Sequence, residues 1–346
     1  MSTNNRIFYA TQGVALRPRG KDGETYSGGY LVPRGVQSVG MTTNFNLEQL
    51  FQLGQIELYD QVEEVPDIQV TINKVIDGTM PLYLLAMGGH ELTANGTTLA
   101  SNANHRVDFS LGVFADTNSA ATGTPLHNVL CSGMYLSSFS YTMPVDGNST
   151  EDITLVGNHK VWGSGNNGAF MANAGSEQAP STVRRYNVNI GASSLPLGSG
   201  GINDTGGHVQ SITISSDLGR EAIRQLGQMT PYYRYVNFPV EVTSEFQVMA
   251  TDGDLVDASD FAGVAGCGAN YKNLSNKTIN VVLCGSGGED TLSFNLGTKN
   301  KLTSVNYTGG DTGGGNATIT YSFKTFNDFI LTASGTYAAT TLVDGV

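Results

Sequence analysis

Apolar and polar side chains alternate with a period of two through much of this chain. In Met134–Met143, Tyr135, Phe139, Tyr141 and Met143 fall on one side, and Ser138, Ser140 and Thr142 fall on the other. That is the pattern of a half-buried antiparallel strand. PVDGNST turns it back into a second strand, EDITLVG, and a looser GGDTGGGNATIT repeats the event near the C-terminus. IQVTINKVI, VEVTSEFQVM, VDFSLGVF and INVVL read as further strands. Two stretches break the rule. Leu47, Leu50 and Phe51, and then Leu218, Ala222, Ile223 and Leu226, recur at helical spacing. Asn44 and Asp217 precede them as N-caps, and Gly54 and Gly227 follow as left-handed stops, which predicts one helix in each half.

These two stretches belong to a repeat. Val36–Pro66 lies on Val209–Pro239 without a gap at an offset of 173, with ten of 31 positions identical, among them Val36/Val209, Gln37/Gln210, Ser38/Ser211 and the run Gln52–Gln55/Gln225–Gln228. Leu136–Thr154 lies on Leu302–Thr320 at an offset of 166 with seven of 19 identical, and Val107–Leu111 pairs with Ile279–Leu283 at 172. The blocks keep their order, and 173 is half of 346. The chain therefore reads as two copies of one domain, 1–173 with an arm at 1–35 and 174–346 with a linking arm at 174–208. Each copy is expected to be a mainly antiparallel β-sandwich or small barrel with one flanking helix.

Composition narrows the function. Charged residues are 14%, and the net charge of −12 lacks the basic footprint that gripping nucleic acid requires. No run preceded by Lys or Arg reads as a signal peptide, and no stretch approaches 18 apolar residues, so no membrane insertion is expected. Cys131, Cys267 and Cys284 are odd in number and do not occupy equivalent positions, which favours reduced thiols.

Candidate chemistry is sparse. His90–Glu91 starts like a zinc-protease helix but lacks the second histidine, and the remaining histidines stand singly. Asp252–Asp260 departs from calcium-loop spacing and reads as an acidic surface loop. The glycine-rich runs lack the Lys-Ser/Thr of a phosphate loop. Neither an enzyme, a cofactor nor a metal site is expected.

VQSVGMTTNFNLEQLFQLGQIELYDQVEEVPDIQVTINKVIDG, followed by LSSFSYTMPVDGNSTEDITLVGNHKVW, resembles the major tail (tail tube) protein of tailed bacteriophages, most clearly over 36–162 and through the repeat over 209–330. The resemblance implies a virion protein, assembled in the host bacterial cytoplasm, whose domains form rings of six that stack into a hollow tube. Its partners would be other copies of itself and other tail components (sheath if the tail contracts, tape measure, baseplate and terminator), with genomic DNA passing through unbound. Two domains per chain make three chains a ring. Six chains with an outer second copy, or a different β-rich tail, baseplate or terminator component, are the alternatives.

Two sets of residues follow as expectations. The helix faces between subunits would be Glu48, Gln52 and Gln55 in the first copy and Arg220, Glu221, Arg224, Gln225 and Gln228 in the second. The first copy carries no base from Phe45 to Ile72, so an acidic face would meet a basic one where unlike copies alternate. Asp60, Glu63, Glu64, Asp67, Glu151 and Asp152 would line the bore and repel phosphate.

Overall fold

The computed structural model describes residues 5–92, 96–116, 124–165, 182–190, 208–231, 233–251, 253, 256, 261–262, 270–271, 276–285, 290–310, 312 and 315–338. In chain order the first half carries β1 (Gln12–Arg19), β2 (Val36–Asn44), β3 (Leu47–Phe51), β4 (Leu58–Glu63), β5 (Asp67–Val75), α1 (Leu82–Met87), β6 (Thr97–Thr98), α2 (Leu99–Asn102), β7 (Arg106–Val113), β8 (His127–Pro144), β9 (Thr150–Gly157) and β10 (Val161–Ser164). The second half carries β11 (Val188–Ile190), β12 (His208–Asp217), β13 (Arg220–Ile223), β14 (Tyr233–Val236), β15 (Glu241–Met249), β16 (Phe261–Ala262), β17 (Asn270–Tyr271), β18 (Asn280–Cys284), β19 (Thr291–Asn295), β20 (Lys301–Thr308), β21 (Thr318–Phe326) and β22 (Ile330–Ala333). The protein is mainly β, and its sheets are antiparallel.

One path of eight strands, β2-β5-β9-β8-β12-β15-β21-β20, runs through both halves. Alternation is strict in β5, β9, β15 and β21, while bulges interrupt it in β2, β8, β12 and β20. In β5, Ile68, Val70, Ile72 and Lys74 are buried while Asp67, Gln69 and Thr71 are exposed, and β15 and β21 follow the same rhythm. Tyr141, Phe246, Tyr321 and Phe323 are fully buried on the inner face, each contributing roughly 1.5–3 kcal/mol of transfer free energy. Behind that face lie β1-β7-β8-β10 in the first half and β11-β18-β19-β22 in the second, and one hydrophobic cluster joins the layers. The 18-residue β8 serves both layers of the first half; in the second half its place is taken by two strands, β19 and β20.

The pairing order β2-β5-β9-β8 recurs as β12-β15-β21-β20 with two matched bulges, while the shifts in β7–β8 and β3–β4 have no counterpart in β18–β19 and β13–β14. β2–β5 has a bulge between Val36 and Ser38, and β12–β15 has one between Val209 and Ser211. β8–β9 is bulged between Leu136 and Ser138, and β20–β21 between Leu302 and Ser304. Pairing also corrects one alignment. Leu136 opposes Leu155 as Leu302 opposes Phe323, so Ile153 corresponds to Tyr321 rather than Ile319. The longer turn of the second hairpin absorbs the two-residue slip. The boundary expected at 173/174 lies outside the described residues, and the sheet crosses between the halves through β8 and β12.

The helix expected after each arm is instead a hairpin. β3 pairs with β4, and β13 pairs with β14. Glu48, Gln52, Gln55, Arg220, Glu221, Arg224, Gln225 and Gln228 therefore lie on two-stranded hairpins and on no helix face. The glycines explain the error: Gly54 and Gly227 have φ of +90° and +85°, and a left-handed residue closes a hairpin as readily as it ends a helix. Asp217 accepts from Gly219 N at 3.0 Å, a local turn bond rather than a helix cap.

The longer of the two α-helices among the described residues packs into the core elsewhere. All six residues of α1, LYLLAM, are buried, as expected of a segment apolar on every side. Its first amides are satisfied by Glu151, which accepts from Leu82 N at 2.7 Å and from Tyr83 N at 2.8 Å.

Candidate functional site

The most distinctive feature is the joint where β8 of the first half pairs with β12 of the second, Ser140 opposite Ser215 and Tyr141 opposite Ile214. The β13–β14 hairpin lies across it. Leu218, 1% exposed, donates its amide to Ser137 O at 2.8 Å. Arg220 donates to the carbonyls of Leu136, of Ala103 at 2.6 Å and of Arg234 at 3.2 Å, with its guanidinium 4.9 Å from the Tyr135 ring centre. Burial lowers its pKa to about 10. Tyr233 Oη donates to Asn104 O at 3.1 Å, and its ring meets Tyr135 edge-on.

Charge crosses the joint too. Arg224 pairs with Glu64 at 2.6 Å, and Arg234 pairs with Asp67 and holds Asn158 Oδ1 at 3.1 Å. Burial alone would raise the Asp67 pKa, but hydrogen bonds from Asn46, Arg234 and Asn158 and the Arg234 charge hold it low. The acidic hairpin of the first half and the basic hairpin of the second thus meet inside one chain. Arg220 is half-buried and held by these carbonyls and the Tyr135 ring, contrary to its expected place on an exposed face.

The open face of the eight-strand path is polar throughout its middle. Ser, Thr, Asn and Gln dominate, and the charged positions are Asp67, Asp152, Asp217, Glu241 and Glu245 against Lys301 and Lys324. A shallow depression across the joint is lined by Ser140, Asp152, Ser215, Asp217 and Glu241. Of the six expected bore acids, Asp67 and Asp152 lie on this face, while Asp60, Glu63 and Glu64 belong to or adjoin the exposed hairpin strand β4. Glu151 does not. Neighbours in a strand point to opposite faces, and Glu151 is fully buried, receiving Tyr141 Oη at 2.6 Å as well as the α1 amides. Burial raises its pKa.

At the two ends of the path, β2 and β20 are edges. They are the counterparts of β12 and β8, which pair in the middle. Phe45, the counterpart of Leu218, is 68% exposed, and Tyr307, the counterpart of Tyr141, is 52% exposed. Every residue of β3 and β4 is exposed. An isolated two-stranded hairpin is only marginally stable in water.

Among the described residues no group of three or more His, Cys, Asp or Glu comes together, and no helix is long and apolar enough to cross a membrane. His90 and Glu91 sit in a turn, and most of Asp252–Asp260 lies outside the described residues, as does Cys267. Burial pushes the Cys131 thiol up to about 11, an unreactive state at neutral pH. Comparison with protein-family models and with curated protein sequences yields no match.

Proposed function

We propose that this chain is a tail-tube-type structural protein: three copies close head to tail into a ring of six units, and rings stack into a conduit for DNA. The observation that carries the reading is the equivalence between the internal joint and the two free edges. A chain that pairs β8 with β12 inside itself presents, as edges, the counterparts of the same two strands. Placing β20 of one copy beside β2 of the next repeats the joint. Asn306 then opposes Thr42 as Ser140 opposes Ser215, and Phe45 is covered as Leu218 is. Head-to-tail contacts of this kind close into rings, and closure removes the exposed edges that invite aggregation.

Size and charge agree with this. Three eight-strand paths at about 4.8 Å spacing and about 40° tilt give a backbone cylinder about 50 Å across. Its bore admits a double helix. The open face would line it, with hydroxyls and amides offering no cationic grip and carboxylates repelling phosphate in a confined field.

The test is a Thr42→Cys, Asn306→Cys chain. Directly opposed positions put Cβ atoms about 4.5–5.5 Å apart, close to disulfide reach. Oxidation should yield a covalent closed trimer, with either single variant yielding none. Monomers throughout, or ladders without a closed species, would overturn the ring.

A further inference from the structure

Each contact across the internal joint has a counterpart at the free ends of the chain, and strand register identifies it. Tyr135 opposes Val156 in β8–β9, and Lys301 opposes Lys324 in β20–β21. As Ile153 corresponds to Tyr321, Val156 corresponds to Lys324, and Tyr135 therefore corresponds to Lys301. In the hairpins, Tyr233 opposes Ile223 as Asp60 opposes Leu50, and Arg220 opposes Val236 as Leu47 opposes Glu63. Tyr233 thus corresponds to Asp60, and Arg220 to Leu47.

Inside the chain these positions touch. The Tyr135 and Tyr233 rings meet at 5.5 Å, and the Arg220 guanidinium lies 4.9 Å from the Tyr135 ring centre. The hairpin brings the cation there, and the sheet receives it with an aromatic face and carbonyl oxygens. At the free ends the chemistry is inverted. The sheet corner carries the cation, Lys301, and the hairpin carries an acid, Asp60, with Leu47 in the place of the arginine. Lys301 and Asp60 are both exposed. Lys324, across from Lys301, is held by Glu241 at 2.7 Å, and Asp60 Oδ1 accepts from the adjacent Gln61 N at 2.8 Å, a bond local to its own strand. A hairpin on the wrong corner is penalised. The second hairpin at the β20 corner would set Arg220 against Lys301. The first hairpin at the internal corner would strip Asp67 of Arg234, and the Leu136 and Ala103 carbonyls of Arg220.

We propose that Lys301 of one copy pairs with Asp60 of a second copy, and that this pair selects a first half as the neighbour of a second half, so that copies join only in alternation. This rests on the ring reading and names the residues by which one copy recognises the next. Attraction at the right joint and repulsion at the wrong one both contribute to the selection. A single exposed ion pair is weak, but a closed ring repeats it once per chain.

Charge reversal tests the pair. Lys301→Glu, Asp60→Lys and the double reversal are each built into the Thr42→Cys, Asn306→Cys background. Native mass measurement under reducing conditions gives the chain concentration at which half of the protein is closed trimer, and oxidation traps the register. Either single reversal should raise that concentration about tenfold, as like charges placed across from one another at every joint require. The double reversal should return it to within about threefold of the parent, a restoration that two independent losses do not give. Urea melts below the assembly concentration should stay unchanged, because both side chains are in solvent. Single reversals that assemble at the parental concentration would overturn the pair while the ring stands, as would a double reversal no better than the singles. A parental protein that gives no closed trimer would overturn the ring and the pair together.

Discussion

Asp108→Asn offers a sharp test of how the first half is held together. The Asp108 side chain is 1% exposed and ties β1 and β7 to β8: Oδ2 accepts from Arg17 Nε at 3.1 Å and Nη2 at 2.7 Å, and Oδ1 accepts from Arg19 Nη1 at 3.0 Å, Ser132 Oγ at 3.0 Å and Gly133 N at 2.8 Å. An asparagine keeps one acceptor and turns a donor toward two others. With Oδ1 retained, the Arg17 fork faces an NH₂ group and loses both bonds and the charge. Breaking a buried ion pair costs about 3–5 kcal/mol. Arg17 and Arg19 keep 30% and 23% of their side-chain surface in water, and Arg17 also stacks on Tyr30, so the low end applies, about 3 kcal/mol. Urea unfolding at pH 7 with an unchanged m-value measures it. The pH dependence is a second constraint. Burial alone would raise the Asp108 pKa, but the hydrogen bonds from Arg17 and Gly133 and the arginine charges hold it below the usual range. Its stabilisation is therefore full above about pH 4 and lost as pH falls through the lowered value, so parent and variant should converge in acid. A difference under about 1 kcal/mol at pH 7, or one that persists unchanged to pH 3, would refute the reasoning.

Three further outcomes follow from named contacts. Tyr141→Phe removes the hydroxyl that donates to buried Glu151 and should cost about 1–3 kcal/mol at pH 7 in denaturant unfolding; because the Glu151 pKa is raised, the protonated form is favoured on folding, and the loss should shrink toward pH 4. Arg220→Glu puts a carboxylate against three carbonyls and should destabilise the folded chain by about 4 kcal/mol, whereas Arg224→Glu, at an exposed pair, should cost under about 1 kcal/mol, read by the same melts. Asp152→Lys with Glu245→Lys on the open face should make assembled filaments retain short duplex DNA at 50 mM salt and release it at higher salt, while the parent retains none.

The strands were legible because each has one face in a core, and burial imposes period two: Ser138–Met143, Ile68–Ile72 and Val242–Val248 could be read directly, whereas the bulge between Leu136 and Ser138 turns Tyr135 to the face opposite Phe139, Tyr141 and Met143, beneath the β13–β14 hairpin. The repeat register was legible too, except past Gly147, where a longer turn shifted it by two. The hairpins were not. Leu47, Leu50, Phe51 and Leu58 face no core of their own chain, so their spacing carries no burial period, and Gly54 and Gly227 satisfy helix stops and hairpin turns alike. Glu151 illustrates a signal present but unused. As the strand neighbour of Asp152 it had to face the other way, and the arrangement of α1 above it explains why a carboxylate is tolerated there. The half-burial of Arg220 was unreadable, because only the fold brings Ala103 and Leu136 to it.

The central claim is head-to-tail closure of three chains through β20 and β2. Native mass measurement of the purified assembly, combined with end-on microscopy of the same particles, tests it most directly. A closed species at three times the 36.5 kDa chain mass, with six similar lobes around an open centre, is the predicted result. A stable monomer at assembly concentrations, or a ring of six chains, would contradict it.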